Sequence, residues 1–342
     1  MRLVYLHSFL RLFLQRSIDE NIAADALQMI AQTASNVDDD PAPNTSRTVR
    51  RRSAIKVPMA RPASTPQSDK PQRDVRVCCL QLGHRRDSET PWDSAQRVLA
   101  CLASVAESEK DVDLFILPEL SPFGSNSETF TKYLPLSEDW QSLYTQIDES
   151  FRQSAQTLGV YIVYGMIGWH RRESDRSLRF TLQHKVVDRQ GTLVAVYDKC
   201  HLSDLELKFF EAGPRRPVTF SIEGFQFGLV VGDDLKYPNL ARSLARDNGV
   251  DVLVNPAAEN TPRYIRQCRA VENAVYVLGV EGTQGETVAV PPDPDHKSVC
   301  MEGGEKEEEG YLLTRIQQAA LDYARANFPY YRVMMTEPKG MF

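Results

Sequence analysis

From Val75 onward the chain alternates between short apolar runs and stretches in which apolar residues recur every three or four positions. The runs VRVCCLQLG, DLFILPEL and VYIVYGMI are apolar almost throughout, as strands buried on both faces are. Between the first two, Val98, Leu102 and Val105 keep helical spacing. Between the second and third, Trp140, Leu143, Ile147, Phe151, Ala155 and Leu158 do the same, and Gly159 stops that helix. The next two pairs of runs predict hairpins: RFTLQHKVV and TLVAVYDK turn through DRQG, and PVTFSI and FQFGLVV turn at Glu223 and Gly224. A helix through NLARSLARDNG, a strand VDVLVNP, a helix through RYIRQCRAVENA and a strand VYVLGV follow. The strands ETVAV and GYLLTRI and a closing helical stretch, IQQAALDYARANFPYYRV, complete the pattern. Strands that alternate with helices but are interrupted by hairpins predict a layered α/β domain, with helices on the outer faces of its sheets. The acidic segment PPDPDHKSVCMEGGEKEEEG is expected to be a solvated loop.

The pattern also divides the chain. Residues 1–37 form a leader whose opening, MRLVYLHSFLRLFLQRS, has three arginines and no acid before Asp19. That composition supports two readings, a mitochondrial presequence and an amphipathic docking helix. Residues 38–73 are rich in Pro, Ser, Thr and Arg and nearly free of large apolar side chains, so they read as a disordered basic linker. The folded domain is expected over 74–333, with a tail at 334–342.

Composition narrows the class. Of 342 residues, 42% are hydrophobic, enough for a sizeable core, and no run reaches the roughly 20 apolar residues of a membrane-spanning helix. The net charge of −6 is uneven: residues 1–72 carry ten Lys and Arg against seven Asp and Glu, so the rest of the chain is the acidic part. Six scattered cysteines show no metal-site spacing, which fits a reducing compartment, cytoplasmic or mitochondrial rather than secreted, and no cofactor or metal is expected. Binding of nucleic acid is suggested only by the basic run at residues 47–52.

Three segments place charged residues at strand ends, where side chains converge on the rim of a sheet. Glu119 closes LFILPEL, Lys199 follows VYD and precedes Glu206 in DLELKFFEAG, and Asp233 and Asp234 follow Gly232 in FGLVVGDDLKYP. Singly, each is an ordinary solvated strand end. In order and context, with PE at 118–119, YDKCHL, ELKFFEAG, DDLKYPNLARSLARDNGVDVLVNPAA and RQCRAVENAVYVLGV, the chain resembles the nitrilase, or carbon-nitrogen hydrolase, superfamily over about residues 74–333.

The resemblance implies a four-layer α-β-β-α sandwich, often homodimeric, and a Glu, Lys, Cys triad that cleaves amides and nitriles. Carried onto this sequence, Glu119 is the base, Lys199 the oxyanion partner and Glu206 a supporting carboxylate, with Phe123 and Asp233 beside the ligand. The nucleophile position falls on Gly232, which has no side chain to form a covalent intermediate. Cys200 adjoins Lys199, but strand neighbours face opposite ways, and Cys268 lies on a predicted helix. Three functions are therefore weighed. The first is a pseudoenzyme serving as scaffold, subunit or binder of a small amide-like ligand, as a homodimer or with related subunits. The second is a weak hydrolase in which Glu119 activates water, and the third is a docking subunit of a larger, ribonucleoprotein-like assembly.

Overall fold

The computed structural model describes residues 74–336 apart from 84, 87, 125–139, 259–260, 283–284, 294–298 and 303–308. The expectations for the leader, the linker and residues 337–342 lie outside the described residues. Two six-stranded sheets form the frame. The first contains β1 (Val75–Gln81), β2 (Leu114–Ile116), β3 (Tyr161–Arg171), β4 (Leu178–Val187), β5 (Leu193–Asp198) and β12 (Gly310–Ile316), in the order β12-β1-β2-β3-β4-β5. The second contains β6 (Thr219–Ile222), β7 (Phe225–Leu229), β8 (Val252–Pro256), β9 (Tyr276–Val280), β10 (Glu286–Val290) and β11 (Val299–Glu302), in the order β11-β10-β9-β8-β7-β6. In each sheet three central strands run parallel, β1, β2 and β3 in one and β7, β8 and β9 in the other, with antiparallel strands outside them.

Strand alternation sorts the core into layers. Val77 and Cys79 of β1, Leu114 and Ile116 of β2, and Val252 and Val254 of β8 belong to one apolar cluster shared by the two sheets. Their neighbours Cys78, Leu80 and Phe115 pack in a second cluster with α1 (Pro91–Ser108) and α2 (Trp140–Leu158). Leu253 and Val277 pack in a third, with α3 (Pro238–Asp247) and α4 (Arg263–Asn273). The result is the expected helix-sheet-sheet-helix order, and it explains why these strands read as apolar on both faces. Helix α1 begins where the sequence directs: Thr90 accepts from the Asp93 N–H at 3.1 Å, the Thr90 N–H donates to the Asp93 carboxylate at 3.0 Å, and Pro91 fills the first turn.

Three details differ from expectation. The acidic segment after β10 contains β11, which pairs antiparallel with β10. The closing helical stretch is broken into α5 (Gln318–Asn327) and α6 (Pro329–Thr336), because Pro329 cannot donate to the preceding turn. Helix α6 also runs three residues past the expected domain end at 333, with Met334 buried.

Candidate functional site

The parallel strands and β5 deliver the charged residues to one place. Glu119 sits in the turn just beyond β2, held by bonds from the Phe123 and Gly124 N–H groups to the Leu120 carbonyl at 2.8 and 2.9 Å. Lys199 follows β5 directly, its N–H donating to the Leu182 carbonyl at 2.8 Å. Glu206 opens a single 3-10 turn over Glu206–Lys208, and Gly232 opens another over Gly232–Lys236, just beyond β7.

The side chains converge. Lys199 Nζ lies 3.1 Å from Glu119 Oε1 and donates to Glu206 Oε1 at 2.7 Å. Glu119 Oε2 accepts from the Ala258 N–H at 3.1 Å, and Glu206 Oε2 from the Ser203 N–H at 2.7 Å. All three charged residues are buried. Gly232 stands at the centre: a Cβ there would lie 2.8 Å from Glu119 Oε2 and 2.9 Å from Lys199 Nζ. Its φ of +51° is a conformation that suits glycine and strains other residues.

One lysine between two carboxylates leaves an excess negative charge in a dry place. Burial pushes the Glu119 carboxyl up to about 7; Lys199 pulls against this and Glu206 adds to it. Burial works against the Lys199 charge, but Glu119 and Glu206 outweigh it and hold its pKa above the ordinary lysine value. A cavity of about 20 Å³, lined by Glu119, Lys199, Ser203, Glu206, Gly232 and Asp233 among others, adjoins the trio. That is room for a water molecule. A second cavity of similar size lies on the other side of Glu119, against Ser121 and Gly124.

Two buried networks hold the frame. Asp234, fully buried, accepts from the Tyr197 hydroxyl at 2.6 Å, from the Cys200 N–H at 3.0 Å and from the His201 N–H at 2.7 Å, and it pairs with His201 Nδ1 at 2.6 Å. This clamps the turn after Gly232 to the segment that carries Lys199. His201 also stacks on Tyr237, with ring centroids 3.6 Å apart. Asn255 Nδ2 donates to the Val230 and Gly232 carbonyls at 2.7 and 3.2 Å, while its oxygen accepts from Arg266 Nε at 3.2 Å. Arg266, fully buried, pairs with Glu281 at 2.5 Å.

The structure therefore brings Glu119, Lys199, Glu206 and Gly232 together, and Asp233 lines the cavity while pairing with Lys236 at 2.6 Å. Phe123 stands elsewhere. It is fully buried, packs edge-on against Tyr144 with centroids 5.1 Å apart, and lines neither cavity beside Glu119, so it belongs to the core under α2 rather than beside a ligand. Cys200 lines neither cavity; its sulfur lies 3.3 Å from the Pro214 carbonyl, and Cys268 is exposed on α4. Sequence reasoning singled out Asp233 and Asp234 together and put only Asp233 beside the ligand; it gave no role to Asn255 or Arg266. Among the described residues no cluster of His, Cys, Asp and Glu is arranged to hold a metal ion, and no helix is long and apolar enough to cross a membrane.

Comparison with known proteins agrees with this frame. The family model for carbon-nitrogen hydrolases matches residues 76–325. The deaminated glutathione amidase of Rattus norvegicus is 25% identical over 268 residues, covering 70% of this chain and 73% of that protein. The human protein of the same name is 25% identical over 272 residues, covering 72% and 79%. Among solved structures, an amidase from Nesterenkonia sp. superposes with a TM-score of 0.60 at 20% identity, covering 74% of this chain and 94% of that one.

Proposed function

Since the chain belongs to the carbon-nitrogen hydrolase family, we propose that it is a member without thiol-mediated hydrolysis, acting as a subunit, scaffold or binder of a small amide-like ligand. The observation that carries this reading is Gly232, whose missing side chain would stand between Glu119 and Lys199. In a thiol hydrolase the carbonyl carbon bonds to sulfur, a neighbouring base takes the thiol proton, and a cation steadies the oxyanion. Here a buried carboxylate and a cation that could take those roles stand together, and among the described residues no cysteine lines the cavity they share. The ligand class is supported by relatives named amidases.

Retention of a buried ion pair needs no catalysis to explain it. Removing Lys199 would strand two buried carboxylates, and removing both carboxylates would strand Lys199, each at a cost of about 3 to 5 kcal/mol. Selection on folding alone can thus preserve the lysine together with a carboxylate to pair it.

A second reading is favoured by the water-sized cavity beside Gly232 and by the Glu119 carboxyl near neutrality. In it Glu119 takes a proton from water, hydroxide adds to the amide carbon, Lys199 steadies the oxyanion, and the proton passes to the departing amine. Loss of a nucleophile costs on the order of a millionfold in kcat, so this route is slow. Comparing the parent with Gly232→Cys on a panel of small amides tests the first reading. Gain of hydrolysis by the variant alone supports it; efficient hydrolysis by the parent overturns it.

A further inference from the structure

The turn that carries Glu119 rests on a gap in the sheet. Ile116 of β2 pairs with Val163 of β3, so Pro118 comes level with Gly165, and Gly165 pairs with His184 of β4. Gly165 offers that turn a bare Cα: a Cβ there would lie 2.4 Å from the Leu120 backbone nitrogen and 3.3 Å from His184 Nε2. Any side chain at 165 would push the turn away. Leu120 itself has φ 53°, a conformation that non-glycine residues seldom adopt.

His184 closes the gap from the next strand. It is 1% exposed, and neither ring nitrogen has a hydrogen-bond partner among the described residues. Gln81 repeats the pattern on the other side: Cys79 pairs with Ile116, so Gln81 comes level with Pro118, and it is fully buried with both amide atoms unpartnered among the described residues. Buried polar atoms of this kind cost stability, and an apolar side chain would fill the same space without that loss. Two of them in one cross-strand row, on either side of the Glu119 turn, point to a role other than packing.

We propose that His184 is a positioning residue for Glu119: its ring, seated at the Gly165 gap behind the Glu119–Leu120 peptide, fixes where the Glu119 carboxyl stands relative to Lys199. The groups around the ring suit that role. Tyr197 pairs with His184 across β5, but its hydroxyl is committed to Asp234 at 2.6 Å. Burial, and after it the Lys199 charge, push the imidazole down to about 3, so the ring is neutral and adds no charge to the Glu119, Lys199 and Glu206 cluster. The inference holds whether the site binds a ligand or turns one over.

The test has two arms, both on the full chain. In the first, histidine-selective ¹⁵N NMR follows the His184 ring in the parent and in Glu119→Gln. The expected result is one neutral ring between about pH 5 and pH 9, with an Nε2 resonance that moves when Glu119 is changed. In the second, ¹³C NMR follows the Glu119 carboxyl in His184→Phe and His184→Gln. The phenylalanine variant is expected to shift the Glu119 midpoint by roughly half a pH unit or more, and the glutamine variant to restore most of it. An Nε2 resonance indifferent to Glu119→Gln overturns the proposal, as does a folded His184→Phe protein with the parent's Glu119 midpoint. If His184→Phe fails to fold, the first arm decides alone.

Discussion

A side chain on Gly232 would begin 2.9 Å from Lys199 Nζ, inside the contact distance that real Cβ atoms keep. The lysine and Glu119 stand against the space that a side chain on Gly232 would enter, and they are bound to each other at 3.1 Å. Both obstructing atoms are the far ends of flexible side chains, so the space can open.

Gly232→Cys is accordingly expected to fold at a cost. The φ of +51° strains any β-carbon, by about 1 to 3 kcal/mol, and the Glu119 and Lys199 ends must shift a few tenths of an ångström. Urea denaturation should show the loss.

Lys199 and Glu119 should answer differently to neutralisation. Lys199→Met leaves two buried carboxylates facing each other and should cost about 3 to 5 kcal/mol. Glu119→Gln leaves Lys199 paired with Glu206 at 2.7 Å and should be close to neutral, or stabilising, at pH 8. Chemical denaturation of the two variants side by side checks the asymmetry.

The Glu119 carboxyl gives this asymmetry a pH dependence. Its folded pKa, about 7, lies above its ordinary value of 4.5, so the folded state holds a proton that the unfolded chain releases. Stability from this group therefore falls as pH rises from about 4.5 to 7 and levels above that, by on the order of 3 kcal/mol at most. The stability of Glu119→Gln relative to the parent should grow across that window. A constant difference from pH 5 to pH 8 would contradict the assignment.

Asp234→Ala should damage the site from behind. It would leave the Tyr197 hydroxyl, two backbone N–H groups and His201 without their shared acceptor, at about 3 to 5 kcal/mol. The Lys199 ammonium should then lose its fixed position, seen as broadening of its ¹⁵N signal, whereas Asp233→Ala should leave both stability and that signal nearly unchanged.

The contrast between these two neighbours shows what the sequence carries. The central strands were legible because each is apolar on both faces, the outer ones because of their hairpin turns, and Glu119, Lys199 and Gly232 because each follows an apolar run. Within the 3-10 turn after Gly232, one step decides that Asp233 meets the cavity and Asp234 the core, and two identical residue types give no sign of it. Phe123 was misplaced for a related reason: closeness to Glu119 in sequence does not say which way a turn residue faces, and its ring turns into the layer beneath α2. The Arg266 and Glu281 pair is fifteen residues apart on α4 and beyond β9, a long-range pairing with no local pattern. His184 looked like any polar residue on an alternating strand; only its burial and its unpartnered nitrogens mark it.

The most direct test of the central claim is turnover of a broad amide and nitrile panel by the purified full chain, beside its Glu119→Gln variant. The account predicts release of ammonia no faster from the parent than from the variant. Turnover by the parent that Glu119→Gln abolishes would contradict it.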